Sequence, residues 1–317
     1  MMTRNLFLGA DLTPAYEALG ENGGAGVAAA VAATFNPGDP PGAVQRTDFA
    51  TRAVGLAAEV EATRPDLVGL QEAALWRTRD ATGEVSVDDH LETLEAELAR
   101  RGLRYTRVIT AEVGDVELPS AAGINVGLTN RLAILAREDG LRLEAPSSGR
   151  FETTLPIETP LGAVGLARGW ASVDVGLSDT TVRFVTTHLE VASTPAAAEV
   201  QLGQADELLA GPAATDAPVV LAGDFNARPG RAGYERLRAA GFDDAWTRAN
   251  PDGPDGLTCC HAWPLDDPGD RLRARIDLIL TRGAIRATEA FVVGEFGPDL
   301  WPSDHAGVVA SLQSTGG

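Results

Sequence analysis

An apolar run, Val219-Val220-Leu221-Ala222-Gly223, stops abruptly at Asp224-Phe225-Asn226. The run reads as a buried strand, and a strand end is where a sheet hands polar groups to solvent or ligand. An acid and an amide one residue apart there can aim two oxygen-bearing side chains at one point. Other strand ends in the chain are similar. Asn5 lies in the first strand-like segment, and Glu72 follows the apolar stretch 67–70. His188 follows 182–187, and Asp304-His305 precedes the last apolar run. Asp277 sits in Arg275-Ile276-Asp277-Leu278-Ile279-Leu280, among neighbours that predict burial. A buried carboxylate needs a partner. With 4 His in the chain, His305 is the economical choice. These residue types suit a hard cation or a phosphate.

Each position also has a plain structural explanation. Asp224 and Asn226 fit an Asx-rich turn after a strand. Glu72 could be the acid at a helix N-terminus, favoured by the dipole. His188 could be a satisfied core histidine, Asp304-His305 a simple turn, and Asn5 a bridge to a neighbouring strand.

The elements that must position these groups follow from the pattern of the chain. Residues 4–9 read as a first strand. A Gly-, Ala- and Pro-rich stretch at about 20–45 reads as a surface insertion. Phe49, Ala53, Leu56, Ala57 and Val60 fall on one helical face, and that helix ends before Pro65. Asp88 or Asp89 caps a second helix carrying Leu91, Leu94 and Leu98, with Gly102 after it. Residues 132–136 form a strand, and 170–175 with 182–187 a hairpin around 176–180. Thr194-Pro195 opens a third helix, running to Leu209. A short helix surrounds Tyr234 and Leu237. Residues 257–260, 276–280, 287–293 and 306–312 complete the strands. Strand-heavy alternation of this kind implies an α/β or α+β domain with more than one sheet layer.

Composition bounds the partners. The 317 residues include 44% hydrophobic, and the net charge is −19 with all 26 basic residues Arg. Such a surface disfavours a broad nucleic-acid groove but not a local Arg–phosphate contact. No apolar run approaches the roughly 18 residues of a membrane span, and no secretory leader is visible ahead of the first strand, which leaves open that an upstream segment was removed. The expected compartment is cytoplasmic if the start is native, or secreted if a leader was removed. Cys259 and Cys260 are adjacent, which is neither a disulfide framework nor a zinc spacing. They read as two small buried residues on a strand, with a vicinal disulfide as the less common state. Trp263 reads as packing, or as a contact for a base or an acyl chain.

Six pieces in order carry a family resemblance. They are Thr3-Arg4-Asn5-Leu6, Asp66-Leu67-Val68-Gly69-Leu70-Gln71-Glu72, Thr187-His188-Leu189, Gly223-Asp224-Phe225-Asn226, Arg275-Ile276-Asp277 and Ser303-Asp304-His305. The chain thereby resembles the endonuclease/exonuclease/phosphatase superfamily, which holds DNase I, abasic-site endonucleases, neutral sphingomyelinases and inositol-phosphate 5-phosphatases. The resemblance runs from residue 3 to about 312. It implies one domain over 1–317 with a DNase I-like fold: a four-layer α/β sandwich of two packed, mostly antiparallel sheets flanked by helices.

The resemblance further implies hydrolysis of a phosphate ester by water, assisted by Mg²⁺ or Mn²⁺. Glu72 would be the main metal ligand, with Asn5 and Asp304 contributing directly or through water. Asp224 would accept a hydrogen bond from the attacking water and could act as its base, and Asn226 would donate to a phosphoryl oxygen. His305, held by Asp277, would contact the phosphate or position the nucleophile, and His188 would donate to a non-bridging or leaving oxygen. His188 favours the branches resembling DNase I and the sphingomyelinases. Phe7, where abasic endonucleases often carry an acid, departs from that branch. The expected substrate is a phosphate ester: nucleic acid, a small phosphodiester or a phospholipid head group. The chain is expected to act as a monomer, with no obligate protein partner and no stable membrane insertion. A sphingomyelinase-like or inositol-phosphate phosphatase-like hydrolase is the alternative activity. A catalytically dead binding protein would have no chemical reason to keep the whole set.

Overall fold

The computed structural model describes residues 1–20, 26–138, 140–159, 162–177, 180–297 and 299–315. Two mixed sheets pack face to face. In the first, the spatial order is Ile285–Val293, Gly307–Ser314, Met2–Asn5, Leu67–Gln71, Asn125–Arg137, Leu75–Arg79 and Val85–Asp89, with Tyr105–Pro119 along the other edge of Asn125–Arg137. In the second it is Asp243–Asp244, Asp277–Arg282, Val219–Asp224, Thr181–His188, Gly169–Gly176 and Arg142–Arg150. One pair in each sheet is parallel: Met2–Asn5 with Leu67–Gln71, and Thr181–His188 with Val219–Asp224. Leu155–Thr159 and Gly162–Leu166 form a small separate hairpin.

The strands Leu67–Gln71 and Val219–Asp224 are buried throughout, yet they still alternate, because successive side chains leave opposite faces of a strand. Val220 and Ala222 point between the sheets with Leu67, Phe184 and Ile279. Val219 and Leu221 point outward, against Leu208 and Leu237 of the helices Pro195–Ala210 and Ala232–Ala239. Val68 and Leu70 point outward on the other side, against Phe49, Leu56, Leu91 and Leu98. Those residues belong to the helices Phe49–Thr63 and His90–Arg100. The result is helix, sheet, sheet, helix.

This parity decides where the polar strand ends go. Residues 5, 188, 224 and 277 share the parity of the inward-facing core positions, so the inner apolar layer ends in polar groups. Just beneath them, Thr3 donates to Gln71, and Gln71 donates to Thr186 at 2.8 Å, a buried polar link across the sheets. The sheets approach closely there. A Cβ on Gly69 would lie 2.6 Å from Thr186 Oγ1, so only glycine fits.

Several expectations change. The first strand spans Met2–Asn5 rather than 4–9, since Phe7 at φ 62° turns the chain out of the sheet. Residues 257–260 form no strand; Cys259 makes only isolated bridges to Ala274 and His305. The 20–45 stretch is helical at Val27–Thr34, and Val27, Val31 and Phe35 are buried against Trp76 and Leu128. Phe35 therefore anchors that stretch to the body. Residues 21–25 of that stretch, and 178–179 of the hairpin loop, lie outside the described residues. Asp89 caps its helix, accepting from Leu91 and Glu92. Thr194 caps the third, accepting from Ala197. None of the described helices is long and apolar enough to cross a membrane.

Candidate active site

Three strands of the second sheet present one polar row. His188 stands opposite Asp224 in the parallel pair, and Asp224 opposite Asp277 in the antiparallel pair. Thr258 fixes the start of the third strand: its hydroxyl accepts from the backbone N–H of both Ile276 and Asp277 at 3.1 Å. Asn226 follows at φ 50°, with its N–H donating to Asp224 Oδ1 at 2.9 Å. This is the Asx turn the spacing suggests, here closed around a carboxylate that is 1% exposed.

The first sheet supplies Asn5 and Glu72. Strands Leu67–Gln71 and Leu75–Arg79 share one edge of the long strand Asn125–Arg137, and Glu72 sits in the gap at φ 53°. Buried Arg131 holds that kink, donating to Ala73 and Ala74 carbonyls and to Asp89. No helix begins at Glu72, so a helix-capping role is excluded. Its Oε2 accepts from the Leu8 N–H at 2.9 Å. The Asn5 amide donates to Asp224 Oδ2 at 3.1 Å, while its Oδ1 accepts from Phe7 N–H at 2.9 Å. Both ends of Asn5 are thus engaged within the protein.

His305 and Asp304 arrive from the loop before the last strand. Two buried arginines place that loop. Arg52 donates to the carbonyls of Leu6, Thr47 and Pro302. Arg4, paired with Glu59 at 2.8 Å, donates to the His305 carbonyl. The His305 ring then meets Asp277 Oδ2 through Nδ1 at 2.8 Å, and Nε2 lies 3.8 Å from Asp224 Oδ2. Burial opposes charge on this imidazole, but Asp277, Asp304 and Asp224 together outweigh it and hold its pKa well above the ordinary value.

The carboxylates repel one another. Burial, reinforced by Asp277, pushes Asp224 up to about 7 against the pull of His305. Burial, with the charge of Glu72 added, pushes Asp304 up to about 6, also against His305. His188 goes the other way. Burial, with Arg168 and His305 nearby, holds it well below the usual histidine value. It is no inert core residue: Nε2 lies 3.4 Å from Asp224 Oδ2 and 3.2 Å from Asn226 Nδ2. The Asn226 amide also donates to the Leu189 carbonyl at 2.9 Å.

Arg168 joins the site unannounced by the sequence. Its guanidinium is 3.1 Å from both His188 ring nitrogens, which puts it over the ring face, and it pairs with Glu190 at 3.2 Å. Burial works against its charge, but Glu190, Glu72 and Asp224 more than offset that and raise its pKa. Tyr16, on the helix Thr13–Gly20, shares this corner. Burial raises its phenol pKa, and Glu190 and Glu72 add to the rise against Arg168. Both residues sit in segments without a periodic signal. The arginine's position just before a strand is its only trace in the sequence.

Two further expectations resolve differently. Trp263 is neither core nor a free platform; it is 41% exposed with the Arg46 guanidinium 4.4 Å above its ring. Cys259 and Cys260 are joined as a vicinal disulfide rather than lying as separate thiols on a strand.

Among the described residues, the ligating atoms of Asp224, Asp277 and His305 lie within 4.8 Å of one another. The oxygen-rich character of Glu72, Asp304 and Asp224 suits a hard divalent cation. Two crowded carboxylates with raised pKa values are what an added positive charge would relieve.

The chain belongs to the endonuclease/exonuclease/phosphatase family, whose sequence model matches residues 38–305. Members of this family are phosphoester hydrolases and generally depend on a divalent metal. The chain is similar in structure to the mannosyl-6-phosphatase Bt3783 of Bacteroides thetaiotaomicron, with TM-score 0.58 and 16% identity over 85% of this chain and 93% of that one. It is similar to the D. rerio TDP2 complexed with single strand DNA product, with TM-score 0.55 and 19% identity over 84% and 93% of the two chains. An endonuclease/exonuclease/phosphatase from Beutenbergia cavernae is 25% identical over 90% of this chain and 70% of its own, with TM-score 0.58. No curated protein sequence matches the chain.

Proposed function

We propose that this protein hydrolyses phosphate esters, phosphodiesters foremost, by attack of water at phosphorus with Mg²⁺ or Mn²⁺ bound at Glu72 and Asp304. The observation that carries this reading is the convergence of Asp224, Asn5 and the Asp277–His305 pair at one buried corner. A bound Mg²⁺ or Mn²⁺ would polarise a phosphoryl oxygen and offset charge there. The remaining work falls to side chains of this chain.

Asp224 accepts a hydrogen bond from the attacking water and takes its proton. A base with a pKa of about 7 is well matched to that task near neutral pH. Asn5 holds Asp224 in place through its amide, and its oxygen, which accepts from Phe7, keeps a second lone pair for the metal or a metal-bound water. His305, kept protonated and oriented by Asp277, donates from Nε2 to a phosphoryl oxygen. Neutral His188 and the Asn226 amide meet a second oxygen, and Arg168 adds a fixed positive charge behind them.

The substrate class is bounded by charge. A net charge of −19 without lysine argues against a long duplex held by many phosphate contacts. Beside the site, Arg228, Arg273 and Arg275 line a cavity of about 350 Å³ that Trp246 also walls. Arg275 is already paired with Asp244, and Arg273 with Asp270. Arg228, two residues beyond Asn226, has no ion pair among the described residues. That single local cation suits a small phosphodiester, a short single strand or an inositol phosphate carrying a further anionic group.

A panel of bis-p-nitrophenyl phosphate, p-nitrophenyl phosphate, single-stranded DNA, RNA, sphingomyelin and inositol phosphates, with Mg²⁺ or Mn²⁺ present, tests the reading. Turnover of the diester above the monoester supports it. No hydrolysis of any of the six would overturn it.

A further inference from the structure

Cys259 and Cys260 stand at the edge of the cleft with no part in the chemistry above. The backbone of Cys259 bridges Ala274 on one side and His305 on the other, which fixes the pair beside the imidazole. Cys259 is buried and Cys260 half-buried, so the pair lies between core and solvent. Cys260 Sγ is 3.7 Å from His305 Nε2. The ligating atoms of Cys259, Cys260 and His305 all lie within 4.8 Å of one another.

We propose that reduction of the Cys259–Cys260 disulfide creates a site for a soft divalent cation such as Zn²⁺ or Cd²⁺, held by both sulfurs and His305 Nε2, and that its occupancy inhibits the enzyme. Two thiolates and an imidazole select soft and borderline metals, whereas a hard Mg²⁺ prefers carboxylate oxygens. The imidazole is already oriented as metal-binding histidines are, with its other nitrogen held by a carboxylate, here Asp277 at 2.8 Å. Asp224 Oδ2, 3.8 Å from Nε2, offers an oxygen for a fourth position. A cation on Nε2 removes the donor that the phosphate requires.

The chemistry balances. A thiol or phosphine reductant supplies two electrons to the S–S bond, which breaks and takes up two protons to give two thiols. The cation then displaces one proton from each thiol and the proton on Nε2. A disulfide or peroxide oxidant removes two electrons, re-forms the S–S bond and expels the cation. The inhibitory half of the proposal rests on the phosphoesterase reading; the binding half does not.

The test uses the full chain. The protein is reduced with a phosphine, freed of reductant without air, and its thiols are counted. Cd²⁺ is then titrated in the presence of Mg²⁺ while the ultraviolet thiolate-to-cadmium charge-transfer band is followed. The expected result is two thiols and one Cd²⁺ per chain, with a band that is absent from the disulfide form. Cys260→Ser and His305→Ala should each weaken binding about tenfold or more. Turnover of the reduced wild type should fall in step with Cd²⁺ occupancy and return on reoxidation. Failure of the reductant to free the thiols, no band once they are free, or unchanged affinity in His305→Ala would overturn the site. Full Cd²⁺ occupancy with undiminished turnover would overturn the inhibition alone. Absence of turnover before any Cd²⁺ is added would instead count against the phosphoesterase reading and leave the site standing.

Discussion

The His305 imidazole is gripped through one nitrogen and presented through the other. Nδ1 lies 2.8 Å from Asp277 Oδ2, while Nε2 faces Asp224 at 3.8 Å. Asp277 is 1% exposed, and its Oδ1 has no partner among the described residues, so its charge is directed almost wholly at the ring. Asp277→Asn should lower kcat roughly 100-fold or more with KM little changed, as expected when a group that tunes a donor is lost. The His305 pKa, followed by NMR, should fall in parallel. Unchanged kcat and pKa would separate the pair from the reaction.

Asp224 links activity to stability. Its folded pKa of about 7 lies above the unfolded value of 3.8. The native state therefore holds this proton more tightly. The associated stability is fully present below about pH 3.8 and is lost as pH rises through about 7, on the order of 4 kcal/mol. Asp224→Asn should thus abolish turnover yet raise the melting temperature of metal-free protein at pH 8, with little change at pH 4. Wild-type kcat/KM should rise with pH through the same range as the base loses its proton. A variant that melts lower than wild type at pH 8 would contradict this electrostatic account.

Arg168 packs over the face of His188 and couples it to Glu190. Lysine keeps the charge but loses the planar guanidinium. Arg168→Lys should reduce kcat/KM about tenfold and Arg168→Ala about 100-fold. The His188 pKa should rise in the alanine variant, because a neighbouring positive charge is gone. Kinetics indistinguishable from wild type in both variants would remove Arg168 from the site.

His90 has the opposite character. It stacks on Phe49 with ring centroids 3.7 Å apart, and neither ring nitrogen has a partner among the described residues. Burial, with Arg52 and Arg131 close by, holds its pKa well below 6.5. A depressed histidine favours the native state above the unfolded pKa, and that contribution is lost as pH falls below about 6.5. His90→Phe should leave turnover intact and flatten the loss of stability between pH 6.5 and 4. Loss of turnover in a folded His90→Phe protein would argue against a purely structural role.

Much of this site could be read from the sequence, and the reason is parity. Glu72, His188, Asp224 and Asp277 end or begin runs apolar enough to mark strands, and period-two alternation then sends His188, Asp224 and Asp277 inward; Asn5 closes the strand Met2–Asn5, which is too polar to mark itself. The surrounding structure was less readable. The strand Tyr105–Pro119 alternates irregularly, interrupted by register shifts at Arg107/Ile109 and Glu112/Gly114. The strand Arg142–Arg150 is almost wholly exposed, so no apolar pattern marks it. Arg4, Arg52 and Arg131 look like surface charges in sequence, but each spends its donors on buried carbonyls or a buried carboxylate. Arg168 and Tyr16 come from segments with no periodicity, and only the fold brings them to His188 and Glu72. Cys259 and Cys260 resemble an apolar strand because a disulfide and a short bridge leave the same small, buried signature.

The most direct measurement is the initial rate of bis-p-nitrophenyl phosphate hydrolysis by metal-stripped protein as Mg²⁺ is titrated, with wild type compared to Glu72→Gln. The proposed mechanism predicts no rate without metal, saturation as Mg²⁺ rises, and a midpoint shifted about tenfold or more to higher Mg²⁺ in the variant. Full activity in excess EDTA, or the same Mg²⁺ midpoint in both proteins, would contradict it.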